Sequence, residues 1–163
     1  AHEHGKLISL DPNYNPAIWP KRAEARAVLE DAFQYANLSK PSLDDARRLF
    51  GPDLAPEEYV ERYHDLGAEL VVLTMGAQGT LLSTVSDLHR IPARDVEVAD
   101  ATGAGDAFWA GFIIALLDGN APERCVLFGR EVAEKALGTV GPLDMPLDRE
   151  VFYKRINSLQ EGA

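Results

Sequence analysis

The chain of 163 residues holds a single cysteine, Cys125. One thiol excludes an internal disulfide framework, and no Cys/His cluster has the spacing of a structural zinc site. Positive charge is also scarce: 16 Lys and Arg face 26 Asp and Glu, for a formal net charge of −10. Nucleic acid and anionic membranes both need clustered bases, so neither is an expected partner. An anionic ligand would have to be held locally, by backbone amides, a few bases or a metal. No apolar run reaches the roughly 20 residues that cross a bilayer. No signal-peptide pattern is visible either, and the cytoplasm is the expected compartment.

What is present is a globular composition, 46% hydrophobic, in a chain long enough for one domain with a core. "KLISLDP" reads as a short strand that ends at Asp11. "PKRAEARAVLEDAFQYA" places Ala25, Val28, Leu29, Ala32 and Phe33 on one helical face, with Pro20 at its start. "YANLS" reads as a second strand. "SLDDARRLFG" has a capping serine, Ser42, an acid at the capping-box position, Asp45, and a closing Gly51. "APEEYVERYHDLG" is a further helix. In "ELVVLTMGAQGTLLST" the run Val71–Leu73 suits a strand buried on both faces, and a turn containing Gly76 and Gly79 leads to another strand. "LHRIPA" is a short strand and "VEVAD" an extended piece. The helix that begins near Gly105 is apolar almost all round and reads as a core helix. "PERCVLFGREVAEKALG" and "LDREVFYKRINSL" are the last two helices. Strands alternating with helices imply a single α/β domain over residues 1–163, with a mostly parallel sheet and helices on both faces.

Chemistry concentrates in "ATGAGD". Gly103 and Gly105 permit a sharp turn and remove side chains that would keep a ligand away. The amides of Gly103, Ala104, Gly105 and Asp106 then converge at a helix N-terminus, where anions bind. An acid in that place needs a second role: holding a metal that bridges to phosphate, or taking a proton from an attacking hydroxyl. The plain alternative is a glycine turn whose acid offsets the helix dipole, and on composition the two readings stand level. "TMGAQG" is neither a dinucleotide fingerprint nor a P-loop; its glycines would let a flat ligand or a phosphate approach a strand end. In "DPNYNP", Asp11, Asn13 and Asn15 suit a turn in which short polar side chains bond their own backbone. His64 and His89 have no evident acid partner, His2 and His4 read as a solvated tail, and Cys125 as a small core residue.

"DATGAGDAFWAGF" resembles the C-terminal signature of the ribokinase-like (PfkB) carbohydrate kinases, D-T-x-G-A-G-D-x-F-x-x-G, with Ala101 in place of the usual threonine. "LISLDPNYNPAIW" is similar to the D-x-N-x-R-x-x-x-W segment of the fructokinase and ketodeoxygluconate kinase type, with Asn15 where arginine is usual. "KPSLDDARRLFG" resembles the segment holding the family's N-x-x-E metal motif, present here as Ser42-x-x-Asp45. "VVLTMGAQGTLL" resembles the nucleotide strand T-x-G-x-x-G, and "GTVGPLDMP" the loop near the adenine. The resemblance implies a ribokinase-like α/β fold, represented by its C-terminal portion, because members are about twice this length. It implies ATP-dependent phosphorylation of a sugar or sugar-acid hydroxyl, with Asp106 as base and the amides of Gly103, Ala104 and Gly105 as the anion hole. Thr74, Gly76, Gly79 and Gly141 would bind nucleotide. Asp45 would act on Mg²⁺, and Asp100 would help hold a monovalent cation such as K⁺ in members that have one. The implied partners are the absent N-terminal half and, as in related dimers, a second copy. Two other functions stay open: a nucleotide-binding module without catalysis, and a Rossmann-type oxidoreductase, disfavoured because no G-x-G-x-x-G follows a strand.

Overall fold

In the computed structural model, which describes residues 1–141, 143 and 146–160, the chain divides into two compact units, Ala1–Ala93 and Arg94–Ala163. The first unit carries the whole sheet. Its strands are β1 (Ser9–Leu10), β2 (Leu38–Ser39), β3 (Leu70–Thr74), β4 (Thr80–Thr84) and β5 (Leu88–Ile91), in that spatial order. Three helices lie among them: α1 (Arg22–Phe33), α2 (Leu43–Phe50) and α3 (Pro56–Asp65).

β1, β2 and β3 are parallel, with Leu10 beside Ser39 and Ser39 beside Val71. β3–β4 and β4–β5 are antiparallel. The α/β fold class stands, and its mostly parallel sheet is realised only in β1–β3; over all five strands the sheet is mixed. The reason lies in the connections. Only five residues separate β3 from β4, and a parallel return needs a crossover of a dozen or more.

One face of this sheet packs on the three helices. Ala25, Leu29 and Phe33 of α1, Leu43, Ala46 and Leu49 of α2, and Tyr59, Val60 and Tyr63 of α3 form a single buried cluster with Val71, Leu73 and Leu81. Leu70, Val72 and Leu82 are buried too, in keeping with the unbroken apolar run of β3.

Helix α2 begins where its capping residues place it. Ser42 Oγ accepts from the Asp45 amide at 3.0 Å and donates to Asp45 Oδ2 at 2.6 Å. Replacing Ser42 by Ala removes the cap and strips a hydrogen bond from a buried carboxylate. The expected cost is about 1–2 kcal/mol, read as a lowered urea midpoint with an unchanged slope.

The second unit consists of α4 (Ala104–Leu117), α5 (Pro122–Leu137) and α6 (Arg149–Gln160). Val96–Asp100, expected as an extended piece, joins no sheet; its last two amides, of Ala99 and Asp100, both donate to the Leu137 carbonyl, at 2.8 and 3.2 Å. Helix α4 buries Phe108, Trp109, Gly111, Phe112 and Ala115, with the Trp109 and Phe112 rings stacked at 4.7 Å. Its other side is not buried: Ala110, Ile114 and Leu117 are exposed. The expected all-round core helix is therefore a core helix on one face only. Leu7 and Ile18, on either side of β1, are exposed apolar residues as well.

Candidate functional site

Gly103 has φ 76° and ψ 0°, a left-handed conformation open to glycine at little cost, and it turns the chain into α4 as the residue before the first helical position. The turn before it is held by Asp100, whose Oδ1 accepts from the Thr102 amide at 2.8 Å. That bond, the Thr102 side chain and the Gly141 backbone hold the Asp100 carboxyl below its ordinary value of 3.8. Gly141, expected at the nucleotide, thus adjoins the glycine turn; three of its neighbours in the same loop, Pro142, Asp144 and Met145, lie outside the described residues.

The amides around this turn are not equivalent. Ala104 donates to the Ala101 carbonyl at 3.3 Å and Ala107 to the Gly103 carbonyl at 2.9 Å. Among the described residues, the amides of Gly103, Gly105 and Asp106 have no backbone acceptor. Asp106, in the first turn of α4, is exposed. Its carboxylate makes no hydrogen bond or ion pair among the described residues. A direct cap bond is therefore not its role, whereas a charge that offsets the helix dipole needs no such bond.

Asp100 provides a test of the turn. A carboxyl whose folded value is depressed adds stability above its unfolded value and loses it as pH falls through the folded one. The Thr102 amide resonance should therefore titrate with a midpoint below 3.8 in an NMR series from about pH 5 to 2. A midpoint at or above that value would mean that the turn is not held by this carboxylate.

The first unit brings a second set of polar groups to the carboxyl ends of its parallel strands. Asp11 follows β1, Lys40 follows β2, and Thr74 ends β3. Lys40 Nζ lies 2.7 Å from Asp11 Oδ2, with 6% of the lysine side chain exposed. A buried ammonium is costly unless paired, and Asp11 is its counter-charge. The Thr74 amide and hydroxyl both donate to the Pro41 carbonyl, at 3.0 and 3.4 Å, so Thr74 sits against the start of α2. Asp45 is occupied by Ser42 and lies 3.5 Å from Arg48 Nη1. Asn13 and Ala17 donate their amides to Asp11 and Asn15 at 3.2 and 2.9 Å, the local side-chain turns expected of that segment.

Lys40 escaped sequence reasoning. Its signal was a lysine placed directly after a short apolar strand and before the Pro-Ser that opens a helix; its partner, 29 residues away, is fixed only by the pairing of β1 with β2. Gly76 and Gly79 flank the turn between β3 and β4, with φ of 56° and 88°. A Cβ at Gly76 would meet open space, whereas at Gly79 it would lie 2.2 Å from the Ile91 carbonyl oxygen. Gly79 therefore has a packing reason of its own. His64 bonds the Ala68 carbonyl through Nδ1 at 2.7 Å and Ser83 Oγ through Nε2 at 2.9 Å, a structural tie between α3 and β4. No group of three or more His, Cys, Asp or Glu able to hold a metal occurs among the described residues.

Residues 1–148 match the model of the pfkB family carbohydrate kinases. The chain is 38% identical over 141 residues to an ATP-dependent 6-phosphofructokinase of Thermoanaerobacterium thermosaccharolyticum, covering 86% of this chain and 44% of that protein. The solved fructokinase of Halothermothrix orenii is 41% identical, with a TM-score of 0.63 over 86% of this chain and 46% of that one. A double mutant of Vibrio cholerae fructokinase, solved with fructose, ADP and potassium ion, is 27% identical, with a TM-score of 0.78 over 91% of this chain and 49% of that one. The chain thus spans about half the length of the relatives it matches.

Proposed function

The chain belongs to the pfkB family of carbohydrate kinases, and from that premise we propose that it is the nucleotide-binding and catalytic C-terminal portion of a kinase that moves the γ-phosphoryl group of ATP to a hydroxyl of a sugar or sugar acid. The observation that carries this reading is Asp106: an exposed carboxylate, unbonded among the described residues, beside amides that lack acceptors.

In this reading Asp106 accepts the proton of the attacking hydroxyl as the oxygen moves onto phosphorus. The amides of Gly103, Gly105 and Asp106 point positive partial charge at the oxygens of the transferred group, aided by the N-terminus of a 14-residue helix. The Ala104 amide joins them once it leaves the Ala101 carbonyl, a bond already long at 3.3 Å. Backbone donors of this kind explain how a chain with a net charge of −10 binds a polyphosphate.

Bound Mg²⁺ would offset phosphate charge and orient the leaving group. With Asp45 committed to Ser42 and Arg48, such an ion would be held mainly by the phosphates and water, with Asp45 reached through water, a coordination habit normal for Mg²⁺. Asp100 would serve a monovalent cation, as the potassium in the Vibrio fructokinase suggests. Thr74, Gly76, Gly79 and Gly141 are assigned to the nucleotide. The exposed residues Leu7, Ile18, Ile114 and Leu117 are assigned to contact with the N-terminal half that the relatives have, and a second copy of the kinase remains a further assigned partner.

The test on this chain is a titration with ATP and Mg²⁺ followed through backbone amide resonances. Gly103, Gly105 and Asp106 should shift together and saturate with one constant. Unmoved resonances at these three positions, with shifts elsewhere, would remove the anion hole from this turn.

A further inference from the structure

Gly111 is the last glycine of "DATGAGDAFWAGF" and lies buried in the middle of α4. Glycine at such a position weakens a helix relative to alanine, so its reason must lie outside the helix. The packing supplies one. A Cβ on Gly111 would lie 3.0 Å from Gly129 Cα, and 2.9 and 3.1 Å from Val132 Cγ2 and Cβ. A Cβ on Gly129 would lie 2.6 Å from the Phe108 carbonyl oxygen. At these two glycines α4 and α5 therefore meet backbone to backbone.

The same helix holds the chain on the other side of the glycine turn. The amides of Ala99 and Asp100 both donate to the carbonyl of Leu137, the last residue of α5, at 2.8 and 3.2 Å. Residues 101–105 thus span two attachments to α5, one at Leu137 and one at Gly129, about 12 Å apart along its axis. Asp106 stands two residues before Phe108, at the second attachment. The spacing of α4 from α5 is then a dimension of the turn itself. Moving α4 outward carries Asp106 with it and leaves Asp100 with α5.

We propose that Gly111 is a positioning residue for phosphoryl transfer: by admitting the α5 backbone at Gly129, it sets where Asp106 stands relative to the Asp100 end of the turn. The inference rests on the catalytic reading of Asp106 given above. With a methyl at position 111, contacts of 2.9–3.0 Å must open to the ordinary 3.5–4.0 Å, a shift of roughly 0.5–1 Å. A misplacement of about 1 Å can cost about 10²-fold in rate.

The experiment compares steady-state kinetics of the intact kinase with those of three variants, at a temperature where calorimetry shows each one folded. Gly111→Ala should lower kcat about 10- to 100-fold and leave KM for ATP within about threefold. The double variant Gly111→Ala/Val132→Ala, which removes the shortest of the three contacts, should recover at least about threefold of that loss. Ile156→Ala empties a buried site on α6; it should lower Tm at least as far and keep kcat within about twofold. Should Gly111→Ala not fold, Val132→Leu widens the same contact from the α5 side and should lower kcat about threefold or more. Parent kcat in Gly111→Ala, or in Val132→Leu where that variant stands in, would overturn the proposal. So would an equal loss of kcat in Ile156→Ala. A slowed Asp106→Asn beside an unslowed Gly111→Ala removes this inference alone, whereas Asp106→Asn with full turnover removes the catalytic reading and this inference with it.

Discussion

Asp106→Asn should lower kcat by about 10²–10⁴, some 3–5 kcal/mol of barrier, in the intact kinase proposed here, and leave the KM for ATP close to its parent value. Asparagine has nearly the size of aspartate and loses only the favourable charge at the helix N-terminus, about 0.3–1 kcal/mol. Since Asp106 is exposed and its carboxylate makes no bond among the described residues, thermal stability should change little. What the variant loses is the ability to accept a proton, and that matters only as the hydroxyl attacks. The split between kcat and KM is therefore the diagnostic quantity. A variant that retains most of its turnover would return Asp106 to the role of a charge at a helix end.

Gly79→Ala should be the most destabilising single-atom-scale change in the first unit. Gly79 has φ 88° and ψ −143°, a region almost reserved for glycine, at a cost of about 1–3 kcal/mol for another residue. The added Cβ would also lie 2.2 Å from the Ile91 carbonyl oxygen and 2.9 Å from Pro92 Cα. Backbone would have to move at the end of β5, adding about 1–3 kcal/mol. Together these predict a loss of about 3–5 kcal/mol and a fall in Tm of roughly 10 °C or more. Gly76→Ala, in open space, should cost only about 1 kcal/mol. Calorimetry on the pair checks this. If Gly76→Ala weakens ATP binding in a well-folded chain, that loss reports on the nucleotide; the same loss in Gly79→Ala reports on the fold. Equal melting temperatures for the two variants would refute the packing role of Gly79.

These positions show what can be read from sequence and what cannot. Local signals were sufficient for α2, where Ser42, Asp45 and Gly51 mark both ends, and for the turn into α4, where closely spaced glycines before an apolar run leave few alternatives. The direction of β4 was also accessible, since a five-residue connection cannot make a crossover, although an alternation of strands and helices suggested a parallel sheet. The Asp11–Lys40 pair was not accessible. It depends on the register that sets Leu10 beside Ser39, and register is a property of the sheet and not of either segment. The ion pairs of Glu131 were hidden for a similar reason, because Arg94 and Arg155 come to one carboxylate from outside its own helix. The apolar composition of α4 marks it as a core helix, but which part of that surface is covered within this chain is set by tertiary packing.

The central claim is most directly tested by following transfer of labelled γ-phosphoryl from ATP by the intact kinase, with Mg²⁺, across a panel of neutral sugars and sugar acids. The account predicts a phosphorylated sugar as the labelled product, formed much faster with one or a few acceptors than with the rest, and reduced about 10²–10⁴-fold by Asp106→Asn. Tight ATP binding with no labelled sugar from any acceptor, or labelled product that Asp106→Asn leaves undiminished, would contradict it.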